Sequence, residues 1–357
     1  MKISLKDFSF RGKVLFLYFK EYNFIMKIIR LITAVLLSAS IAFTAFYGRY
    51  KIAESTIDKS PTEYKGVITV WQIDTFEGGT GSRKQFLLKA ARSFERKNDG
   101  VLVMVVNQTV EGARDALQAG NVPDLISFGC GADISGFGEI SPARKVKGGL
   151  VGDKCFATAW CRGGYVLIEN PSLVENTEKI IHFEELLVSQ AEFTQPLTAL
   201  ALEGITANKV EVKPPMDAYV KFTAGKTPYF LATQRDLVRL KNRGFEVNAY
   251  PLTAYNDLYQ YISVTATDQI KRFYAQEFTE HLLSDAVQGS LNEIAMFSEF
   301  VKVKYDDEKF IDVQSVENFS TISAFTPSEK LKELQEISLL AVSGSADALN
   351  KIKNILV

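Results

Sequence analysis

GVITVWQIDTFEGGTGSRKQFLLKAARSFERKNDGVLVMVV, residues 66–106, decides how the chain folds. Two short apolar runs rich in β-branched residues, at 67–73 and 101–106, flank a segment in which Phe86, Ala90 and Phe94 recur at i, i+4 and i+8 beside Leu87 and Ala91. Uninterrupted runs of this kind are expected of parallel strands covered on both faces, and the segment between them has the period of an amphipathic helix. DLISF (124–128) repeats the strand signal after a second helical stretch, about 110–119, which Gly120 closes. The order β-α-β-α-β predicts an open, mostly parallel α/β sheet with right-handed crossover helices.

Glycines at 78, 79 and 81 separate the first strand from its helix and invite comparison with phosphate-binding loops. The Walker pattern fails, because Arg83 and Lys84 follow Ser82 and no Gly-Lys-Ser/Thr occurs there. A dinucleotide fingerprint fails at Gly129-Cys130-Gly131, since Ile134 stands where the third glycine belongs. Ser82-Arg83-Lys84-Gln85 instead reads as a capping box, its serine oxygen accepting from the N3 amide. In an open α/β sheet this loop faces the ligand crevice, and the helix start offers free N–H groups there. The glycines either bring backbone close to a ligand or simply let the chain turn.

At 357 residues and 46% hydrophobic content the chain can build two lobes. Residues 1–50 carry eight Lys/Arg against two Asp/Glu, which leaves the remainder at −7 and argues against a nucleic-acid surface. Lys27 and Arg30 precede LITAVLLSASIAFTAFY (31–47), an uncharged apolar stretch of 17 residues followed by Arg49 and Lys51. This reads as a signal peptide or short membrane anchor over 26–50, with 1–25 an extension upstream of Met26 and 51–64 a polar tether. Ser40-Ile41-Ala42 fits a cleavage site, yet the apolar run continues through Phe43, Phe46 and Tyr47, so cleavage and retention both stay open. Three cysteines cannot supply a disulfide framework; Cys155 and Cys161 read either as a bridge or as small buried residues. The two histidines, His182 and His281, lack ligand-like spacing.

Residues 154–170 read as one long strand, followed by helices around 182–189, 215–223 and 234–244. Strands are expected at 246–252 and 258–264, then a long helix over 265–294 and further helices to the C-terminus. No acid–base pair, Ser/His/Asp set or Cys/His pair stands out, so the chain reads as a binding protein with no cofactor and no metal rather than an enzyme. Aromatic and planar polar residues collect at strand ends instead: Trp71, Phe76, Trp160, Arg162, Tyr165, Gln234, Arg235 and Tyr255. Such rings and forks suit sugars and carboxylates.

In order and spacing, the opening block with "FERKNDGV", then "GNVPDLISF", "CFATAWCRGGYVLIENPSLV", "FTAGKTPYFLATQRDLVRL" and "FYAQEFTEHLLSDAVQGSLNEIAMFS" resemble the extracellular solute-binding proteins of ABC importers. The likeness covers about residues 65–300 and points to the sugar-binding branch that includes maltose-binding protein. It implies a two-lobed periplasmic-binding-protein fold that closes on a solute as a hinge and delivers it to a membrane permease. Lobe one would be 65–158 plus 262–300, and lobe two 163–257 plus 301–357. Carried over by place in the motifs, the ligand positions are Asp74, Thr75 and Phe76, Gly129 and Cys130, Trp160 and Arg162, and Gln234 with Arg235; Arg83 and Tyr255 join them as residues able to face the cleft. The resemblance also implies a monomer on the outer face of the cytoplasmic membrane, anchored or secreted, with ABC permease subunits as partners.

The chain departs from the sugar-binding pattern where Thr233-Gln234-Arg235 replaces the usual Gly-x-Trp. Losing a tryptophan and gaining Arg235 favours an acidic sugar or other anion, with Arg83 and Arg162 as further cations. There is no lipobox, the first cysteine being Cys130. Two other readings stand beside this one, an exported α/β hydrolase or transferase and a two-lobed sensor or envelope protein without transport.

Overall fold

The computed structural model describes residues 32–33, 35–38, 64–174 and 181–356. The chain divides into two units, Met1–Glu63 and Tyr64–Val357. In the first, residues 32–33 and 35–38 are helical, with Ile32, Val35, Leu36 and Leu37 exposed. The rest of the expected extension, signal or anchor, and tether lies outside the described residues. Among the described residues no helix is long and apolar enough to cross a membrane.

The second unit opens as expected with β1 (Gly66–Ile73), α1 (Arg83–Glu95), β2 (Val101–Gln108), α2 (Val110–Gln118) and β3 (Leu125–Phe128). β1 lies between β2 and β3 and is parallel to both, and α1 buries Phe86, Leu87, Ala90, Ala91 and Phe94. β2 departs from expectation: Leu102 and Met104 are exposed, because β2 is the edge strand of its sheet and only alternate side chains face the core. Ser82 occupies the N-cap of α1 but its side chain makes no capping bond, so the expected capping box is not formed.

The single strand expected over 154–170 is broken. After a short hairpin of β4 (Leu150–Val151) and β5 (Lys154–Cys155), β6 (Thr158–Arg162) joins the first sheet and β7 (Tyr165–Glu169) the second. The crossing runs through Gly163 and Gly164, where a Cβ would lie 2.6 Å from Gln234 Oε1 and 2.5 Å from Val313 Cγ1 respectively. A larger residue at either position would have to displace these side chains.

β8 (His182–Ser189), α3 (Pro196–Leu202), β9 (Thr206–Lys213), α4 (Pro215–Thr223), β10 (Tyr229–Thr233), α5 (Gln234–Asn242) and β11 (Asn248–Pro251) follow. The helix expected at 182–189 is therefore a strand. β8 lies inside the second sheet, ordered β11-β7-β10-β8-β9 and parallel to β10 and β9. Its glutamates face outward, Glu185 onto Lys209 at 2.9 Å, while Phe183, Leu186, Leu187 and Val188 are buried. Pairing on both sides overrides the helix preference of Glu-Glu-Leu-Leu.

β12 (Tyr259–Val264) returns to the first sheet, ordered β2-β1-β3-β12-β6 and antiparallel to β3 and β6. α6 (Gln269–Leu282) starts where the Asp268 carboxylate accepts from the Ile270 and Lys271 amides at 3.1 and 2.9 Å. The expected long helix ends here, because Ser284 takes an extended N-cap conformation and starts the separate short α7 (Asp285–Gln288). α8 (Glu308–Ser315), α9 (Ser328–Val342) and α10 (Ala346–Ile355) complete the chain, with α9 on α3 and β9. Two open, mostly parallel sheets flanked by helices thus form two lobes joined by crossing segments.

Candidate functional site

The carboxyl end of β1 delivers Asp74, Thr75 and Phe76 into a cleft of about 600 Å³. Arg83, on the first turn of α1, organises this rim. Its Nε lies 2.7 Å from Asp74 Oδ1, Nη1 donates to Gln260 Oε1 at 2.9 Å, Nη2 donates to the Phe76 carbonyl, and its guanidinium carbon sits 4.3 Å from the centre of the Phe76 ring. With its side chain 4% exposed, Arg83 shapes the loop more than it offers charge to a ligand.

Beyond Phe76 the glycine loop is tied to the turn before Phe297. Thr80 N–H donates to the Ile294 carbonyl at 2.7 Å, and Gly79 N–H to Met296 Sδ at 3.1 Å. A Cβ on Gly79 would stand 2.1 Å from the Ile294 oxygen, so close backbone approach is what this glycine provides. Gly81, at φ +64°, supplies the left-handed turn into α1.

The opposite wall comes from the second lobe: Ala191 after β8, Pro214 to Met216 at the start of α4, and Arg235 on α5. Arg235 Nη1 donates to the Gly78 carbonyl at 3.3 Å and to that of Gly79, and its Nε lies 3.4 Å from Glu77 Oε2. One turn on, Arg239 donates to Glu77 Oε1 at 3.0 Å and to Asp236 Oδ1 at 3.1 Å. Glu77 is thus held between two arginines of the other lobe. Burial raises the Asp236 pKa from 3.8 to about 6, against the opposing effect of the adjacent Arg239.

The structure brings Asp74, Thr75, Phe76, Arg83 and Arg235 together along this cleft and places the other expected ligand residues elsewhere. Arg162 lines a second cavity, of about 450 Å³, with its Nε 2.8 Å from Glu299 and Nη2 donating to the Gln314 and Val316 carbonyls at 2.8 and 3.2 Å. Trp160 is fully buried, donating to Ser127 Oγ at 2.9 Å and stacking on Phe86. The Gln234 amide is committed to Gly164 N–H, at 3.0 Å, and to Met296. Tyr255 and Cys130 are buried, and the space beside Gly129 is taken by Thr75. Sequence reasoning missed Glu77 and Arg239; the i, i+4 spacing of Arg235 and Arg239 on one helix face was the available signal.

Cys155 and Cys161 are free and buried, as is Cys130, which excludes the bridge in this structure. His182 sits on a strand, bonded to Thr206 Oγ1 at 2.8 Å, and His281 contacts Ser93 from α6. Among the described residues no group of three or more His, Cys, Asp and Glu side chains is placed to hold a metal ion.

No family model and no curated protein matches the sequence. Solved structures do match in fold. The sugar-binding protein MalE from Xanthomonas citri has a TM-score of 0.58 at 14% identity, covering 81% of this chain and 96% of its own. The GacH receptor of Streptomyces glaucescens, whose complex with acarbose is known, has a TM-score of 0.53 at 13% identity and 82% and 97% coverage. Iron-bound HitA from Pseudomonas aeruginosa has a TM-score of 0.51 at 13% identity and 76% and 99% coverage. The chain has the two-lobed fold of the periplasmic binding proteins.

Proposed function

We propose that the chain is an exported solute receptor of an ABC import system, capturing a carbohydrate or small anionic solute between its lobes and delivering it to a membrane permease without catalysis. The observation that carries this reading is the cleft itself, walled by the loop after β1 on one side and by Ala191, Met216 and Arg235 on the other. A solute touching both walls would hold the lobes together, which is what a hinge receptor requires. The 26–50 segment would export the receptor, anchored at the outer face of the membrane or secreted, as a monomer that works with permease subunits.

Thermal-shift screening of the chain against saccharides, uronic acids and oxyanions tests the reading. A ligand present at 100 times its Kd stabilises the folded state by about 2.7 kcal/mol. Intact folding with no shift for any solute would reject it. A second reading is a two-lobed sensor or envelope protein without transport. Solute uptake by cells with and without the gene separates the two.

A further inference from the structure

At and just behind the cleft wall, Arg83, Arg235 and Arg239 are paired with three carboxylates, Asp74, Glu77 and Asp236. Two of these acids belong to fixed local pairs: Asp74 is bound by Arg83 and also accepts from Gln72 at 2.9 Å, and Asp236 is buried beside Arg239 on its own helix. Glu77 differs. It reaches across from the glycine loop, is one-third exposed, and divides its two oxygens between two arginines rather than engaging either in a bidentate fork.

Arg235 is left incompletely satisfied by this arrangement. Its Nε is buried without a hydrogen-bond partner, the Glu77 oxygen at 3.4 Å being too poorly placed to accept. The glycine loop itself stays tied to Ile294 and Met296, but the Glu77 side chain, one-third exposed, can turn out to solvent. If Glu77 swings out, the region is left with one uncompensated positive charge. A neutral sugar cannot restore that balance, whereas a solute carboxylate can, and in a better geometry than Glu77 has.

Resting on the solute-receptor reading, we infer that Glu77 is an internal occupant of a carboxylate seat on Arg235 and Arg239, and that the solute carries a carboxylate which displaces it. Glu77 then sets specificity, because every anion must compete with it while neutral solutes gain nothing from its departure.

Calorimetric titration of the full chain with D-glucuronate and with D-glucose, the same ring with and without the carboxylate, tests the inference. Glu77→Gln should raise affinity for glucuronate about fivefold, the worth of an exposed ion pair, and leave glucose unchanged. Arg235→Met should remove the glucuronate response. A second arm needs no knowledge of the solute: Glu77→Ala should be stabilised saturably by acetate, and Glu77→Ala with Arg235→Met should not. Glucuronate binding that is unchanged or weakened in Glu77→Gln, or an acetate response no greater in Glu77→Ala than in the wild type, overturns the inference. Tight binding of a neutral solute irrespective of Glu77 overturns it while leaving the receptor reading intact. An acetate seat in Glu77→Ala, with no solute of any class held by the wild type, supports the seat and rejects the receptor.

Discussion

Replacing Asp257 by asparagine should remove most of a pH dependence built into the segment that connects the two sheets. Asp257 is buried between β11 and β12; its Oδ1 accepts from the Tyr165 hydroxyl at 2.6 Å, and that hydroxyl accepts from Gln195 N–H at 2.9 Å. Burial raises its pKa from 3.8 to about 7, against the opposing effect of the Tyr165 hydrogen bond. The folded state therefore holds a proton that the unfolded chain releases at lower pH. The stability linked to this proton is fully present below the unfolded value and is lost as pH rises through the folded one. Across that window each pH step costs about 1.4 kcal/mol, giving a ceiling of about 4 kcal/mol.

Asparagine has nearly the same shape, stays uncharged, and keeps an acceptor for Tyr165. Urea unfolding of both proteins at pH about 4, 5.5, 7 and 8, followed by tryptophan fluorescence under reducing conditions, measures the difference directly. Near pH 4 the two should be nearly equal; by pH 8 the asparagine variant should be more stable by about 2–4 kcal/mol. Asp236, raised by burial to about 6, has the same sign but is common to both proteins and cancels in the difference. A difference that stays flat with pH, or one in which the wild type gains as pH rises, would refute the reasoning, because it would mean that Asp257 ionises in the folded state as readily as in water.

Gly79→Val should cost about 2 kcal/mol or more, since its Cβ would start 2.1 Å from a backbone oxygen; thermal unfolding reads the loss, and an unchanged midpoint would show that the loop does not lie against Ile294. Arg162→Met should cost about 3–5 kcal/mol by leaving Glu299 and the Gln314 and Val316 carbonyls without their partner, which denaturant titration checks. The three thiols are free and buried, with burial pushing each pKa up, so a thiol reagent should label the native chain only as fast as it opens and should find three groups after denaturation.

The first lobe was legible because its signals are local. Phe86, Ala90 and Phe94 declare their own period, and the apolar runs of β1 and β3 are short and uninterrupted. β8 was not legible, because HFEELLVS becomes a strand only through ladders with β9 and β10, which lie further along the chain. The break at Gly163–Gly164 depends on Gln234, seventy residues away, for its reason to exist. The same distinction divides the site. A glycine loop after a strand marks a crevice rim wherever the sheet is open, so Asp74 to Phe76 and the Arg83 helix start could be placed from sequence. Trp160 and Gln234 read equally well as ligand residues, yet a ring or an amide that can bind a sugar can equally bind Ser127 or Gly164, and the fold uses them that way, while Tyr255 is simply buried. Charge is the hardest to read, since Glu77 carries the same formal charge in solvent as between two arginines. What distinguishes these states is the second lobe's α5, whose Arg235 and Arg239 stand one turn apart and meet the Glu77 carboxylate only once both lobes are folded.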